Sequence, residues 1–387
     1  MAPPGRAGRG RTRPAPLAVL GALVGTACPV APRPSLVSDD AGGDAAPNAQ
    51  AELTTVAEDE AVFHRGEAAI VHDGLEPDTE YTFHGVAFRT LPRPPGERLA
   101  TFATVNDVHF GEVECGLLDG IDIGPVLRVE PGEDPYPETM NRGAVAEISA
   151  IEPAAVVAKG DLTTHGAVEE FESFLACYGP AFGDRLHYVR GNHDAASGAD
   201  FASDAPFSVP LPGVTLAVLD TVIPGAANGQ VGAEQLAWLD DLAADSDQPI
   251  LVFGHHHPWK PGSATREPGY FGILPDDAEK LVEVVARRPV IAGYFAGHTH
   301  RNRVRRFAET ADVPWVEVAC VKDFPGAWAE YRVYEGGIVQ VHRRISTPEA
   351  LHWTERTRAM FAGFYPQYAF GTLADRCFVV GVNAQRL

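Results

Sequence analysis

Five short segments of the chain place histidine, aspartate or asparagine directly after an apolar run. One such run, Ala154–Lys159, is typical of a buried parallel strand, and Gly160-Asp161 follows it as a turn. Ligands of α/β proteins bind at the carboxyl ends of parallel strands, so we expect all five segments to meet at one edge of a sheet. The segments are Asp107-Val-His109, Gly160-Asp161, Gly191-Asn192-His193-Asp194, Gly254-His255-His256-His257-Pro258 and Gly297-His298-Thr299-His300.

The residue types in these segments point to a metal centre. Histidine and carboxylate side chains bind Zn, Mn and Fe, and a site of mixed nitrogen and oxygen donors gathers them from several segments. In Asp107-x-His109 and His298-x-His300 both side chains lie on the same side of an extended chain, because the period of a strand is two. One such pair is common by chance. Five segments in this order would otherwise require five separate buried polar groups, each with its own partners, so we predict one centre around Asp161.

As a set, the five segments resemble the signature of the calcineurin-like metallophosphoesterases. That signature is Asp-x-His, Gly-Asp, Gly-Asn-His-Asp/Glu, a histidine near a proline, and Gly-His-x-His, and here it extends from Asp107 to His300. The resemblance implies an α/β fold in which two mixed β-sheets pack as a sandwich flanked by helices. It also implies a dinuclear centre of two divalent metal ions, which could be Mn, Fe or Zn.

The resemblance assigns a role to each matching position. It implies that the first metal binds Asp107, His109 and His300, that the second binds Asn192, His298 and one histidine of the 255–257 run, and that Asp161 bridges both. Family members place the histidine ligand two residues before the proline, which indicates His256. His255 and His257 would then support the ligands or lie in the core.

The implied mechanism is hydrolysis by a metal-bridging hydroxide. Two cations clamp the phosphate and lower the pKa of a shared water, which attacks phosphorus in line with the leaving group. His193, next to Asn192, would protonate the leaving oxygen as a general acid, and Asp194 would orient its ring. The alternative for His193 is a purely structural role.

The residues after Asp161 distinguish branches of the family. Thr164 stands where purple acid phosphatases carry a tyrosine ligand, and the Asp-Arg-Gly motif of protein Ser/Thr phosphatases is absent. The Gly-Asp-Leu-Thr-x-x-Gly segment and the His-His-His-Pro run look most like the class III cyclic nucleotide phosphodiesterase and glycerophosphodiesterase branch. We therefore expect hydrolysis of phosphodiesters, for example cyclic nucleotides or glycerophosphodiesters. The alternatives are phosphomonoester hydrolysis at the same site and a non-catalytic metal-binding scaffold.

The composition limits the possible partners. Acidic residues outnumber basic ones 52 to 31, and this formal charge of −21 argues against a nucleic-acid surface. A small phosphate ester remains compatible, because bound cations reverse the local charge. The five cysteines form no disulfide framework, and no apolar run reaches the roughly 20 residues of a transmembrane helix.

The pattern along the chain predicts four regions. Residues 1–50 are a leader and linker: residues 1–28 resemble a lipoprotein signal ending at Cys28, or else form a disordered leader, and these alternatives predict export or a cytoplasmic location. Residues 51–98 resemble a truncated fibronectin III-like β module. Residues 99–346 form the metallophosphoesterase domain. The aromatic extension 347–387 is expected to be a helix on the flank, a lid over the active site or a homodimer face.

Apolar periodicity predicts the main elements of these regions. Helices are expected at Glu138–Ile151, Ala167–Ala181, Gly232–Ala244 and Asp276–Ala286, and one strand is expected at Tyr81–Phe88. Thr347-Pro348 is typical of a helix start. Short links between the late strands indicate an antiparallel part of a mixed sheet.

Overall fold

The computed structural model describes most of the chain, namely residues 50–117, 123–202, 205–263, 270–311 and 313–381. Except for Gln50, the predicted leader and linker lie outside the described residues. Across those described ranges, no helix has both the length and the apolar character that crossing a bilayer requires.

The described strands form two small sheets and two large ones. The small sheets consist of β1 (Glu52–Val56), β2 (Ala61–Arg65) and β3 (Ala68–His72), and of β4 (Glu80–Phe83) and β5 (Val86–Arg89). Sheet I contains, in spatial order, β17 (Phe378–Gly381), β16 (Gly337–Arg344), β15 (Ala327–Tyr334), β6 (Arg98–Val105), β7 (Val156–Lys159) and β8 (Leu186–Val189). Sheet II contains β13 (Arg303–Arg306), β14 (Pro314–Glu317), β12 (Ile291–Ala296), β11 (Ile250–Phe253), β10 (Val214–Val218) and β9 (Phe207–Leu211).

The helices agree closely with the apolar periodicity of the sequence. In the described ranges they are α1 (Tyr136–Ala150), α2 (Val168–Phe182), α3 (Ala233–Asp245), α4 (Pro275–Arg287), α5 (Pro348–Thr357), α6 (Tyr365–Ala369) and α7 (Leu373–Arg376). The ends of α1 to α4 differ from the predicted ends by one or two residues. Helix α5 begins at Pro348, as the Thr-Pro pair predicts.

Both large sheets are mixed. In sheet I, β6, β7 and β8 run parallel, whereas β15, β16 and β17 pair antiparallel. In sheet II, β10, β11, β12 and β14 run parallel, and the edge strands β9 and β13 are antiparallel. The parallel strands of each sheet therefore end at the same edge, where loops can carry ligands.

The two large sheets pack face to face through an aromatic core. Phe102 stacks on Tyr331 within sheet I, with ring centroids 4.5 Å apart, and Phe295 of sheet II meets Tyr331 edge-on at 5.4 Å. Helices α1 and α2 cover the outer face of sheet I, and α3 and α4 cover the outer face of sheet II. This four-layer order of helix, sheet, sheet and helix confirms the fold class that the resemblance implied.

Strand β7 shows why the segment before Gly160 is apolar throughout. Val156 and Ala158 pack under the helices of sheet I, while Val157 faces sheet II. A strand buried on both faces cannot alternate with polar residues, so it reads as a continuous apolar run. Asp161 is consequently placed just beyond the strand, at the carboxyl edge.

The N-terminal strands differ from the prediction at one point. The single strand expected at Tyr81–Phe88 is wrong, because the chain reverses at His84-Gly85 to form the β4–β5 hairpin. His84 and Gly85 have φ angles of 54° and 77°, as a two-residue turn of type I′ requires. The apolar positions shift here from 81 and 83 to 86 and 88, and a single strand drawn through both pairs passes over that change of phase.

A network of ion pairs joins the N-terminal strands to sheet I. Glu60 contacts Arg332 at 2.6 Å and Arg343 at 2.6 Å, and Arg332 also pairs with Glu58 at 2.9 Å. Burial opposes the charge on Glu60, but hydrogen bonding with Arg343 and the charges of both arginines lower the pKa of Glu60 to about 2. The lowered pKa makes this contact sensitive to acid.

Glu60→Gln is therefore expected to lower the free energy of unfolding at neutral pH by up to roughly 3 kcal/mol. Because the folded pKa lies below the unfolded value of about 4.5, the contribution of Glu60 is complete above pH 4.5 and is lost as the pH falls towards 2. Urea unfolding of wild type and variant at a series of pH values measures this difference. A difference that stays constant down to about pH 3 would contradict the assignment.

Candidate metal centre

The five segments of predicted ligands follow five parallel strands and converge at one edge of the sandwich. The segments from Asp107, Asp161 and Asn192 follow strands β6, β7 and β8 of sheet I, in that order, and the histidine runs at 255–257 and 298–300 follow β11 and β12 of sheet II. Their side chains contact one another across the two sheets, with His255 beside Asp161 and His300 beside Asp107. The structure therefore brings together residues that are far apart in the sequence.

The backbone at this edge is strained. Five predicted ligand residues have a left-handed backbone, with φ of 51° at Asp107, 48° at His109, 50° at Asp161, 66° at His298 and 53° at His300. Such conformations cost residues with a Cβ on the order of 1–3 kcal/mol each, and they persist where the surrounding structure imposes them, commonly at active sites. The strain marks this edge as a functional site.

Two glycines allow the loops after β7 and β8 to approach each other. Gly160 has a φ of 84°, and a Cβ there would lie only 2.6 Å from Nδ1 of His255. A Cβ on Gly191 would collide with the carboxylate of Asp161. Both glycines of the Gly-Asp and Gly-Asn-His segments are thus required by close packing around Asp161.

Asp161 lies at the centre of the cluster. One carboxylate oxygen, Oδ2, is 3.2 Å from Nε2 of His255 and 3.6 Å from Nε2 of His109, and the other, Oδ1, accepts the backbone N–H of His193 at 2.9 Å. Burial opposes its ionisation, but the neighbouring His255 and His193 hold the pKa of Asp161 well below its ordinary value. Asp161 is therefore a buried carboxylate that faces His109 after β6 and His255 after β11.

His255 is the member of the triple histidine that contacts the predicted ligands. Its Nδ1 donates to the carbonyl of Lys159 at 2.8 Å, and its Nε2 lies 3.1 Å from Oδ1 of Asn192 as well as close to Asp161. A backbone carbonyl on one ring nitrogen is the usual arrangement of a metal-binding histidine, because it fixes the tautomer and directs the other nitrogen to the metal. The resemblance indicated His256 as the ligand of this run, whereas these contacts favour His255.

His256, the predicted ligand, is held differently. Its Nδ1 is 2.8 Å from the hydroxyl of Thr221, which also accepts the backbone N–H of His256 at 3.1 Å. Its Nε2 is buried and has no hydrogen-bond partner among the described residues. Ligand atoms of His256, His255 and His298 lie within 4.8 Å of one another, and the contacts of His255 with Asp161 and Asn192 favour His255 as the ligand.

His109 and His298 each offer a ring nitrogen to the cluster. Both ring nitrogens of His109 are buried and lack hydrogen-bond partners within the part of the chain that the structure describes, and burial together with Lys322 lowers its pKa well below the ordinary value. His298 donates from Nε2 to the carbonyl of Phe271 at 2.7 Å, which leaves Nδ1 for a metal. Burial and the proximity of His255 lower the pKa of His298 to about 4. Both rings are thus neutral, and each can offer a nitrogen lone pair to a metal ion.

Asp107 connects the first and last segments. Its two carboxylate oxygens accept the backbone N–H of His298 at 3.0 Å, and Oδ1 lies 3.5 Å from Nε2 of His300. Asn106 donates to the same carboxylate at 2.6 Å. Asp107 therefore fixes the Gly-His-Thr-His loop while keeping an oxygen towards the cluster.

The residues present fit divalent cations. Ligand atoms lie within 4.8 Å of one another in each of three overlapping groups, Asp107–His109–His300, Asp107–Asp161–His255 and His255–His256–His298. With Nδ1 of His255 bonded to a carbonyl, its Nε2 presents a lone pair to the oxygens of Asp161 and Asn192. The lone pair of Nε2 therefore faces one oxygen of Asp161 and one oxygen of Asn192. A bound cation would stabilise this arrangement of electron-rich atoms. Without a cation the ring must take up a proton instead: burial opposes that charge, but Asp161 raises the pKa of His255 to about 9.

His193 lies beside the cluster with a fixed ring. Its Nδ1 donates to the carbonyl of Thr164 at 2.8 Å, and its ring centroid is 4.8 Å from that of His109. Asp194 does not orient this ring, contrary to the prediction. Its carboxylate accepts the backbone N–H groups of Leu162, Thr163 and Gly191 at 2.7–3.1 Å, so it holds the two ligand loops together.

The sequence of the domain matches a known family over the region that builds this centre. The sequence profile of the family described as "Calcineurin-like phosphoesterase" matches residues 100–302, which is more than half of the chain. The chain belongs to this family.

Curated relatives of this calcineurin-like phosphoesterase lie in the predicted branch. A glycerophosphodiester phosphodiesterase from Enterobacter lignolyticus (strain SCF1) is 25% identical over 223 residues, which are 54% of this chain and 73% of that one. A cAMP/cGMP dual specificity phosphodiesterase from Mycobacterium tuberculosis is 32% identical over 122 residues, 28% of this chain and 38% of that one. The Gly-Asp-Leu-Thr-x-x-Gly segment therefore indicated the correct branch.

A solved structure shares the fold. A dimetal phosphatase from Danio rerio superposes with a TM-score of 0.50 at 17% identity, covering 64% of this chain and 97% of that chain. At this identity the similarity concerns the fold alone. It agrees with the four-layer sandwich described above.

Sequence reasoning missed several residues that orient the candidate ligands of this phosphoesterase. The carbonyls of Lys159, Thr164 and Phe271 accept from His255, His193 and His298. Backbone carbonyls exist at every residue, so no motif marks them. Thr221 was also missed, because its contact with His256 depends on how the loops after β10 and β11 pack.

Proposed function

We propose that this calcineurin-like phosphoesterase hydrolyses phosphodiesters with two divalent cations bridged by Asp161. We assign Asp107, His109 and His300 to the first cation, and Asn192, His255 and His298 to the second. His255 replaces the His256 of the sequence analysis. The observation that carries the proposal is the position of His255 Nε2 at a strained sheet edge, 3.2 Å from Oδ2 of Asp161 and 3.1 Å from Oδ1 of Asn192.

The protein's own residues supply the remaining chemistry. When bound, the cations polarise the phosphate oxygens and lower the pKa of a water molecule. His193 is proposed to carry a proton to the leaving oxygen. Since its Nδ1 donates to the carbonyl of Thr164 at 2.8 Å, Nε2 is the atom that gains and loses this proton. The bond from the backbone N–H of His193 to Asp161 keeps the acid beside the cations.

We propose phosphodiesters as the substrates because the chain resembles the branch of the family that contains phosphodiesterases. The relatives described above are named as a glycerophosphodiester phosphodiesterase and a cyclic nucleotide phosphodiesterase. A general acid at His193 suits the leaving alkoxide of either ester, so the preference for diesters rests on these relatives. Hydrolysis of a monoester at the same site is the alternative.

The test compares two chromogenic esters on one preparation. The purified protein is loaded with Mn, Zn or Fe and assayed on bis-p-nitrophenyl phosphate and p-nitrophenyl phosphate, and we expect a higher kcat/KM for the diester. On an alkyl phosphodiester, whose leaving alkoxide requires a proton, His193→Ala should lower kcat by about 10²–10⁴-fold with unchanged metal content, because His193 is assigned to proton transfer and not to the metals. His352→Ala, on the exposed face of α5, is the matched control.

Two results would contradict the proposal. Bound metal without turnover would show a metal-binding protein and would reject the proposed hydrolase activity. A preference for the monoester would overturn the substrate class while keeping the centre.

A further inference from the structure

The aromatic C-terminal extension contacts the loop that carries His298 and His300. The hydroxyl of Tyr368, on α6, donates to the carbonyl of Thr299 at 2.8 Å, and Thr299 lies between the two histidines. The guanidinium of Arg301 lies over the ring of Tyr368 at 5.1 Å. Helix α6 therefore touches the residue between the two ligands and the residue directly after them.

The same helix is fastened to the chain just beyond this loop. The backbone N–H of Asn302 donates to the carbonyl of Ala369 at 2.9 Å, and its side-chain amide donates to the carbonyl of Phe370 at 3.3 Å. The side-chain oxygen of Asn302 accepts the backbone N–H of Ala319 at 3.2 Å. Asn302 thus ties α6, the ligand loop and the end of sheet II into one unit.

A second tyrosine of α6, Tyr365, contacts a carboxylate near His300. The hydroxyl of Tyr365 donates to Oδ1 of Asp323 at 2.5 Å, and the thiol of Cys320 donates to the same oxygen at 2.8 Å. Ligand atoms of His300, Cys320 and Asp323 lie within 4.8 Å of one another. Two donors on one oxygen fix the orientation of the Asp323 carboxylate beside the His300 ring.

The strained loop needs such support. His298 and His300 have φ angles of 66° and 53°, which persist only where neighbouring groups impose them. Asp107 supplies part of this support through the backbone N–H of His298. The further contacts from α6 and Phe370 come from residues 365–370, which lie outside the region 100–302 that the family profile matches.

We propose that Tyr365 and Tyr368 are positioning residues that hold the His298–His300 loop in its metal-binding conformation. This inference rests on the proposed function, because it assumes that both histidines bind metal. The extension then acts as part of the metal centre, in addition to packing on the flank of the domain. The chain supplies this support from its own C-terminal region.

The experiment measures metal affinity, which does not depend on turnover. Mn or Zn binding is followed by calorimetry for the full chain and for Tyr365→Phe, Tyr368→Phe and the double variant. Partners that orient metal ligands typically contribute 10–100-fold to affinity, so we expect the double variant to bind about 10–100-fold more weakly and each single variant less so. Tyr→Phe keeps the ring in place, and if the double variant fails to fold the single variants provide the test.

The matched control is Tyr334→Phe. Tyr334 also donates to a carboxylate, Glu58, at 2.6 Å, but it belongs to the junction with the N-terminal strands. If the tyrosines of α6 are merely structural, all variants lower the melting temperature alike and bind metal as wild type does, which overturns the inference. Wild-type protein that binds no divalent metal overturns the proposed function together with this inference, so the two failures are distinguishable.

Discussion

Asp161→Asn is expected to lower kcat/KM for a phosphodiester by at least about 10³-fold. Charge stabilisation by bound cations contributes several kcal/mol, and each 1.36 kcal/mol corresponds to a tenfold rate. Asparagine keeps the size of the side chain but removes the charge that faces His109 and His255 at 3.6 and 3.2 Å. The variant should therefore fold while losing its bound metal.

The measurements are metal content by elemental analysis and kinetics on bis-p-nitrophenyl phosphate. Asp240→Asn is the matched control, because Asp240 pairs with Arg287 and Arg288 on the helical surface, where ion pairs contribute little. An Asp161→Asn variant with wild-type metal content and turnover would remove Asp161 from the centre.

His255→Ala is expected to have a much larger effect than His256→Ala. Loss of His255 removes the nitrogen that faces Asp161 and Asn192, and we expect a decrease of about 10³-fold in kcat/KM with loss of one of two bound ions. Loss of His256 removes a ring bonded to Thr221, and we expect a decrease within about 100-fold. The comparison is made on the same substrate and with the same metal.

A larger loss of activity in His256→Ala than in His255→Ala would support the assignment of His256, which lies two residues before Pro258, as the ligand. In that case His256 would be the ligand, and the contact between His255 and Asp161 would be an ion pair of the metal-free protein. Thermal unfolding of both variants separates this outcome from simple destabilisation, because both rings are buried.

Much of the fold was predictable because burial leaves a regular pattern. Helices α1 to α4 each present an apolar face, and their predicted ends were off by one or two residues. The parallel strands are buried on both faces and therefore appear as short apolar runs. The hairpin at His84-Gly85 was missed because the predicted strand ran past the change of apolar phase between Phe83 and Val86, where two positive φ angles reverse the chain.

The sequence by itself determined the family, the five segments and the edge of the sandwich at which they meet. The reason is physical: a polar residue directly after a fully buried parallel strand can only emerge at the carboxyl edge of the sheet. Order and spacing were sufficient for that conclusion, and they also indicated the branch through Gly160–Gly166.

Only the tertiary structure decided what each polar side chain does at that edge. His255 differs from His256 because the carbonyl of Lys159, on another strand, bonds one nitrogen and directs the other towards Asp161. Asp194 accepts hydrogen bonds from backbone N–H groups of two loops, whereas the ring of His193 donates to the carbonyl of Thr164. Contacts with backbone groups depend on how distant strands pack, and no residue type in the sequence records them.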